Sequence, residues 1–443
     1  MKLFNDLLLK FNSPDWSKNP ELGLIDEILE KTPSLLSLLS HDVTSGCKAS
    51  HFGRKDTPTV EQVVRAAIYK EFKSMTYREL EYAQSDSRIC TTFIKIDDRK
   101  PFSFQVWQKY ISKIKVDSLQ KTLVQLNQIA ITEGLEDLIA IRTDSTVIEA
   151  NIHFPTNNSL VWDCIKEAHR LLSHLAKKED IKVRDYRSGA KSNHFKINNS
   201  KADKRLALFK KQLVLFTKSI KQVDKFVKKK GYRSSGSLGL VMALQKLQPL
   251  MDQVYSMTNR RQIKGESVPN DQKLFSIYEL HTDIIVKGGR EVLFGHKVNL
   301  TDGKGKLILD CEILRGNPAD SNLFGPTIER VKENYGRTPK SVAADGGYAS
   351  KANHQKAIKE GLTNVVFNKV VGSMRNIVSS KNMQTRLKKW RSGIESTISN
   401  LKRGFNISKC NWKGWAHFQA KVLWSVIAYN IRVMTGLVIA KIE

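Results

Sequence analysis

The sequence predicts an α/β chain with helices at its N-terminal end, alternating strands and helices toward its C-terminal end, and a long helical stretch between them. Three observations predict this. Short apolar runs without helical period stand at 137–144 (DLIAIRTD) and 341–345 (SVAAD), the pattern of strands buried on both faces. Segments of strand composition follow in series at 276–287, 291–300 and 306–314, with turn residues between them (KGGR at 287–290, then Lys304-Gly305). Helical spacing of apolar residues fills most of 59–130 and 159–260.

Thr59 and Gln62 form a capping-box pattern before VVRAAIYKEF, and Thr76 and Glu79 repeat it before a second helix ending near Gln84. A third helix is expected over 103–130, with Val106, Trp107, Tyr110, Ile111 and Ile114 at helical spacing. Short helices in a basic chain can build a helix-turn-helix DNA reader or a dimerisation domain, and both readings stand open. Between Cys164 and Gly231 there are 20 Lys and Arg against 6 Asp and Glu. The middle of that stretch, 185–201 (DYRSGAKSNHFKINNSK), is polar and reads as a loop or arm. A helix is expected over 320–335 with Asp320 as its N-cap. A strand at 341–345 should end in the Gly346-Gly347 turn. A helix at 350–360, a strand at 364–368 and helix from about 383 complete the chain. The expected domains are a helical one at 1–132 and a catalytic one at 133–443, with a basic helical insertion at about 158–270.

Composition narrows the function. The chain has 443 residues, 73 Lys and Arg against 44 Asp and Glu, and a net charge of +29. With 40% hydrophobic residues it can bury a core, which excludes a disordered basic tail. Such a charge points to a polyanionic partner, nucleic acid ahead of an anionic membrane surface. Cys47, Cys90, Cys164, Cys311 and Cys410 are widely spaced with no CxxC pair, which argues against disulfides or a zinc knuckle and for a reducing cytoplasm. The opening MKLFNDLLLKFNSPDW is broken by Asn5 and Asp6 and lacks a signal-peptide pattern. The apolar segment 415–440 is interrupted by His417, Lys421, Asn430 and Arg432, so it is expected to be a buried helix and not a membrane span.

Three carboxylates stand out. Asp144 is expected to end the first buried strand and Asp345 a later one, where α/β sites form. If those strands are parallel neighbours, their ends lie about 4.8 Å apart. That spacing suits carboxylates sharing a pair of metal ions, as in-line phosphoryl chemistry requires. Glu395 sits on an expected helix as the one acid among eight Lys and Arg between Arg386 and Lys413. Arg391, Glu395 and Lys402 share a helix face, beside an apolar stripe of Ile394, Ile398 and Leu401 that would dock it. Taken singly, each Asp reads as a turn or cap residue and Glu395 as a surface partner of Arg391. The three together in a strongly basic chain are less easily dismissed.

These residues lie in segments that resemble insertion-sequence transposases of the DDE class from bacteria. The matching segments are DSTVIEANIHFPT (144–156), GHKVNL (295–300), GNPAD (316–320), DGGYAS (345–350) and RSGIESTISNLKRGFNISKCNWKG (391–414), with TPTVEQVVRAAIYKEFKSMTYREL in the N-terminal helices. The family pattern around the helical acid is Tyr, two residues, Arg, three residues, Glu, six residues, Lys. Arg391, Glu395 and Lys402 match it, while Lys388 stands where Tyr is usual and Trp390 lies nearby. The resemblance implies an α/β ribonuclease-H-like catalytic domain with a mainly helical basic insertion after its first strand, plus an α-helical N-terminal domain. It implies that Asp144, Asp345 and Glu395 are catalytic and hold two Mg²⁺ ions, with Mn²⁺ able to substitute. Activity would be cleavage of transposon ends and joining of the 3′-hydroxyl to target DNA. Partners would be double-stranded DNA (terminal inverted repeats and target) and a second copy of the chain, in a bacterial cytoplasm at the nucleoid and with no membrane. Arg391 and Lys402 would clamp backbone near the scissile phosphate, with Arg403, Lys388, Lys389 and Lys297 as further DNA contacts. A nuclease without strand transfer and a non-catalytic DNA-binding protein derived from a transposase remain as alternatives.

Smaller features have two readings each. His296 can touch DNA or metal, but a structural histidine is favoured. Trp412 and Trp415 can stack on an extruded base or serve packing. The 164–231 segment is the best candidate for sequence-independent backbone binding, against a solvated helical hairpin.

Overall fold

The computed structural model describes residues 16, 19–46, 57–96, 100–229, 231–232, 234–287, 291–370, 372 and 374–442. The opening stretch to residue 15, Cys47 and the turn expected at 288–290 lie outside the described residues. The chain divides into two compact units, Met1–Glu149 with His296–Glu443, and Ala150–Gly295. The N-terminal helices and the strands bearing the acids therefore share one unit, with no break near 132.

In the first unit, α1 (Pro20–Lys31) and α2 (Pro33–Thr44) each start on a proline, which suits the first helical turn. Next come α3 (Val60–Phe72) and α4 (Tyr77–Asp86), both opened by the expected capping boxes, then α5 (Arg88–Ile94). The helix expected at 103–130 is two, α6 (Phe104–Ile111) and α7 (Val116–Thr132). The break has a cause: the Lys115 amide donates to Asp42 Oδ2 at 2.9 Å instead of to a helix carbonyl.

Of these helices, α1, α3 and α7 pack against the C-terminal α16 (Trp415–Ile442). By length and composition α16 could cross a membrane, yet 67% of its most apolar window is buried inside the chain, and Val422, Leu423, Trp424 and Val426 are fully covered. It is a core helix. Buried Glu71 of α3 takes Lys70 and Lys421 of α16 as ion-pair partners, so the charge entering this core is paired. Cys90, Cys164, Cys311 and Cys410 are buried thiols.

The strands are β1 (Ala140–Ala150), β2 (Asp283–Lys287), β3 (Glu291–Asp302), β4 (Ile308–Ile313), β5 (Ser341–Ala344), β6 (Asn364–Phe367) and β7 (Lys409–Cys410). They form a mixed sheet of order β2-β3-β1-β5-β6, with β4 also on β3 and β7 on β1. The β1–β5 and β5–β6 pairs are parallel, while β2–β3 and β3–β4 are antiparallel. The strand expected at 276–287 shortens to β2, because Ser276 Oγ accepts the amides of Tyr278 and Glu279 and curls the chain. Helices α12 (Phe324–Tyr335), α13 (Lys351–Lys359), α14 (Lys381–Arg391) and α15 (Gly393–Gly404) complete the unit. Leu387 of α14 packs on Ala343 and Val366. The whole is a mixed α/β architecture, consistent with a ribonuclease-H-like domain.

The second unit holds α8 (Asn157–Glu179), α9 (Arg187–Asn199), α10 (Ala202–Lys228) and α11 (Ser235–Thr258), with a core that includes Leu172, Phe216, Leu244 and Met251. The loop expected at 185–201 is largely helix α9. Its polar sequence hides the reason: only Ala190 and Ile197 are buried, and contacts with α8 and α10 hold it helical.

Candidate active site

Asp144 does not end its strand; it lies inside β1. What ends there is the partner. The parallel register runs Ala140↔Ser341 to Thr143↔Ala344, and the next residue on each chain is an aspartate. Asp144 and Asp345 therefore stand side by side just beyond the last paired residues, as expected of parallel neighbours. The loop after Asp345 lies tight against its surroundings, which is why it needs two glycines. A Cβ on Gly346 would sit 2.9 Å from Lys369 Cβ, and one on Gly347 would sit 2.9 Å from Asp320 Oδ2.

The helical stretch expected from about 383 is broken at Ser392. Trp390's carbonyl accepts from Arg142 Nη1 at 2.6 Å. A Cβ on Gly393 would lie 2.2 Å from that same nitrogen, so only glycine lets the guanidinium reach the backbone. Arg391 closes α14 and Glu395 falls in the first turn of α15. The expected pairing survives the break: Arg391 Nη2 donates to Glu395 Oε1 at 2.9 Å. Arg391 Nη1 lies 3.8 Å from Asp144 Oδ2 and 3.7 Å from Asp345 Oδ1. One guanidinium, 10% exposed, thus gathers all three predicted acids.

The helix bearing Glu395 is fixed from beneath. Ile394 and Leu401 are buried and Ile398 partly so, as the apolar stripe predicted. Arg142 and Asp302, both buried, form a two-bond pair at 2.6 and 2.9 Å, and Thr397 of α15 donates to Asp302 Oδ2 at 2.7 Å. Arg142 also lies over the Trp390 ring at 4.8 Å. Sequence reading missed this pair, since its members are 160 residues apart.

Residues 285–431 match the family model for the transposase DDE domain. The chain carries a transposase DDE domain. The DDE-class resemblance seen in the motifs agrees with this match. The matched segment contains Asp345 and Glu395 but starts after Asp144; the β1–β5 register brings Asp144 to them. Neither the curated proteins nor the solved structures contain a match to this chain.

Beside the matched DDE segment, Asp144 has a perturbed carboxyl. Burial pushes it up to about 6, and the charges of Asp345 and Asp320 push the same way, while the Ser145 amide and Arg391 pull it down. Asp320 is a fourth acid at the site. It was expected as a helix N-cap, but α12 begins at Phe324. Its Oδ1 instead accepts from Ser145 Oγ at 2.9 Å and from Lys297 Nζ at 2.6 Å. The GNPAD segment contains it, yet nothing local shows that its carboxylate faces β1. Among the described residues, no three His, Cys, Asp or Glu side chains lie close enough together to hold one metal ion. Around Asp144, Asp345 and Glu395, the group in contact with all three is Arg391.

The predicted DNA contacts are placed unevenly. Lys389 and Arg403 are exposed, and Lys388 and Lys402 half-buried, on α14 and α15. Lys297 is buried, with its ammonium on Asp320 and on the Pro318 carbonyl at 2.9 Å, so it faces the interior of the DDE domain. His296 is fully buried against Trp415 and Phe418, at 4.5 and 4.8 Å between ring centres, a packing role. Trp415 shares that cluster, and Trp412 stacks on Tyr77 at 5.9 Å.

Proposed function

We propose that this chain is a DNA transposase that cleaves the ends of an insertion sequence and joins the freed 3′-hydroxyl to target DNA. The observation that carries this reading is the convergence of Asp144, Asp345 and Glu395 on one guanidinium inside a DDE domain. The donor set fits a hard divalent cation. It consists of carboxylate oxygens alone, and Asp144 is held partly desolvated among like charges, a state that a cation relieves. Asp144, Asp345 and Glu395 would hold Mg²⁺, two ions in this reading, with Mn²⁺ as substitute. Bound there, the ions would supply charge neutralisation at the phosphate and an activated oxygen nucleophile.

The chain's own residues would do the rest. Arg391 carries a permanent charge at the meeting point of the acids, and its planar fork suits two oxygens of a phosphodiester. Lys388, Lys389, Lys402 and Arg403 would hold the flanking backbone. Arg142, Asp302 and Thr397 keep α15, and so Glu395, in place. The first step would exchange a bridging P–O bond for one to water and free a 3′-hydroxyl. The second would exchange a target P–O bond for one to that hydroxyl. Both are phosphoryl transfers that depend on positioning and electrostatics.

The test is incubation of the purified chain with labelled element-end DNA, Mg²⁺ and a target plasmid. Nicking at the 3′ end followed by joining is expected. Nicking without joining would support a nuclease, and binding alone a non-catalytic protein. A dimer or larger assembly on paired ends is expected in the same reaction.

The pH dependence follows from Asp144. Its folded value lies above that of a free carboxyl, so its contribution to stability is full at low pH and is lost as pH rises through about 6. Cation binding runs the other way, because it needs the ionised form. Cleavage should therefore fall as pH drops through about 6. In Asp320→Asn a charge that raises Asp144 is gone, and this acid limb should move to lower pH. A pH profile of nicking rate checks it; an unmoved limb would separate Asp144 from the titration.

A further inference from the structure

We propose that one face of α10 is a docking track for the phosphate backbone of duplex DNA, without regard to sequence. The proposal takes its partner from the transposase reading above. Helix α10 buries Phe209, Gln212, Leu213, Phe216, Ser219, Val223 and Phe226. Its other side carries Lys204, Lys211, Lys218 and Lys225, each seven residues after the last and all exposed. Seven residues are nearly two full turns, so these lysines form an almost straight row with a step of about 10.5 Å. Lys221 and Lys228, also exposed, stand three residues after the last two, on the same face.

These charges are left open by the protein. Lysines with structural tasks in this chain have partners: Lys70 and Lys421 on Glu71, Lys297 on Asp320, Lys356 on Glu329 and Glu360. On α10, Lys228 pairs with Asp224. Lys204, Lys211, Lys218, Lys221 and Lys225 form no ion pair among the described residues. The acids on the helix itself are Asp203 in its first turn and half-buried Asp224. Lys218 and Lys221, and then Lys221 and Lys225, repel one another at i,i+3 and i,i+4 spacing. An isolated helix would lose stability from such a row. A polyanion laid along it would convert that repulsion into attraction, with release of counterions. A row about 32 Å long is close to one turn of duplex. Lysine ammoniums act as point charges without a base-reading fork, hence backbone contact without sequence preference.

The experiment measures binding of a random-sequence duplex to the full chain as a function of NaCl. The variant carries Lys204→Gln, Lys211→Gln, Lys218→Gln and Lys225→Gln together. Glutamine keeps helix propensity, and circular dichroism verifies the fold. If each lysine meets a phosphate, the slope of log K against log salt flattens by about 3.6, at roughly 0.9 per contact. The loss should be equal for random and element-end duplexes, and four arginines at the same positions should restore the slope. An unchanged slope in a folded variant overturns the track but leaves the transposase reading intact. A variant that loses binding to phosphatidylserine vesicles yet keeps the duplex slope overturns it too. Wild-type chain that binds no duplex at any salt overturns both readings.

Discussion

Asp345→Asn should reduce cleavage by on the order of 10³-fold while leaving binding of element-end DNA nearly unchanged. The substitution changes charge and almost nothing else. Asp345 is half-exposed, at 51%. Its side chain caps no helix, and Arg391 is its ion-pair partner, at 3.7 Å. No fold-level task is removed, so stability should move by no more than about 0.5 kcal/mol. What is lost is one anionic oxygen donor beside Asp144, where the proposed chemistry needs both. Nicking under saturating protein, set beside fluorescence anisotropy on the same duplex, separates chemistry from binding. Equal loss of both would sink the assignment of this acid.

The second large effect is on the fold beneath the site. Arg142→Leu should destabilise the chain by roughly 3–5 kcal/mol, since it leaves the Asp302 carboxylate buried without its cation. Asp302 is fully buried, and its burial already raises its carboxyl, an effect that Arg142 opposes. A loss of that size is a large part of the roughly 5–15 kcal/mol that holds a domain. Arg142→Leu combined with Asp302→Leu should recover much of it, because no unpaired charge then remains. Urea unfolding of the three proteins is the measurement. A single variant with an unmoved midpoint would show that the pair does not carry α15. The same single variant frees the Trp390 carbonyl and loosens the break at Ser392, so Glu395 should lose its fixed aim as well.

The three acids were legible because each rests on short-range signals: an apolar run ending in Asp, a second such run, and a lone acid in a basic helix. The capping boxes at Thr59 and Thr76 were legible for the same reason. The missed features share the opposite property. The helix break at Ser392 depends on Arg142, far away in sequence. Asp320 has the local look of an N-cap, but its partners are Ser145 and Lys297. Helix α9 has too few apolar residues to announce itself and is held by its neighbours. In each case a distant side chain outweighs local preference, and no pattern within a window of a few turns contains it.

Glu71 of α3 is paired with Lys421 of α16, and this has a consequence during synthesis. About 340 residues separate the end of α3 from the start of α16. At roughly 5–20 residues per second, the ribosome takes on the order of 20–70 s to cover them. For that whole interval the N-terminal helices have left the exit tunnel without the helix that fills their shared core. Contacts of such long sequence separation form late. The apolar faces of α3 and α7 are then uncovered, and folding of the first unit is coupled to the arrival of α16. A nascent chain stalled before residue 415 should accordingly be sensitive to protease throughout its N-terminal helices, and resistant once α16 has emerged.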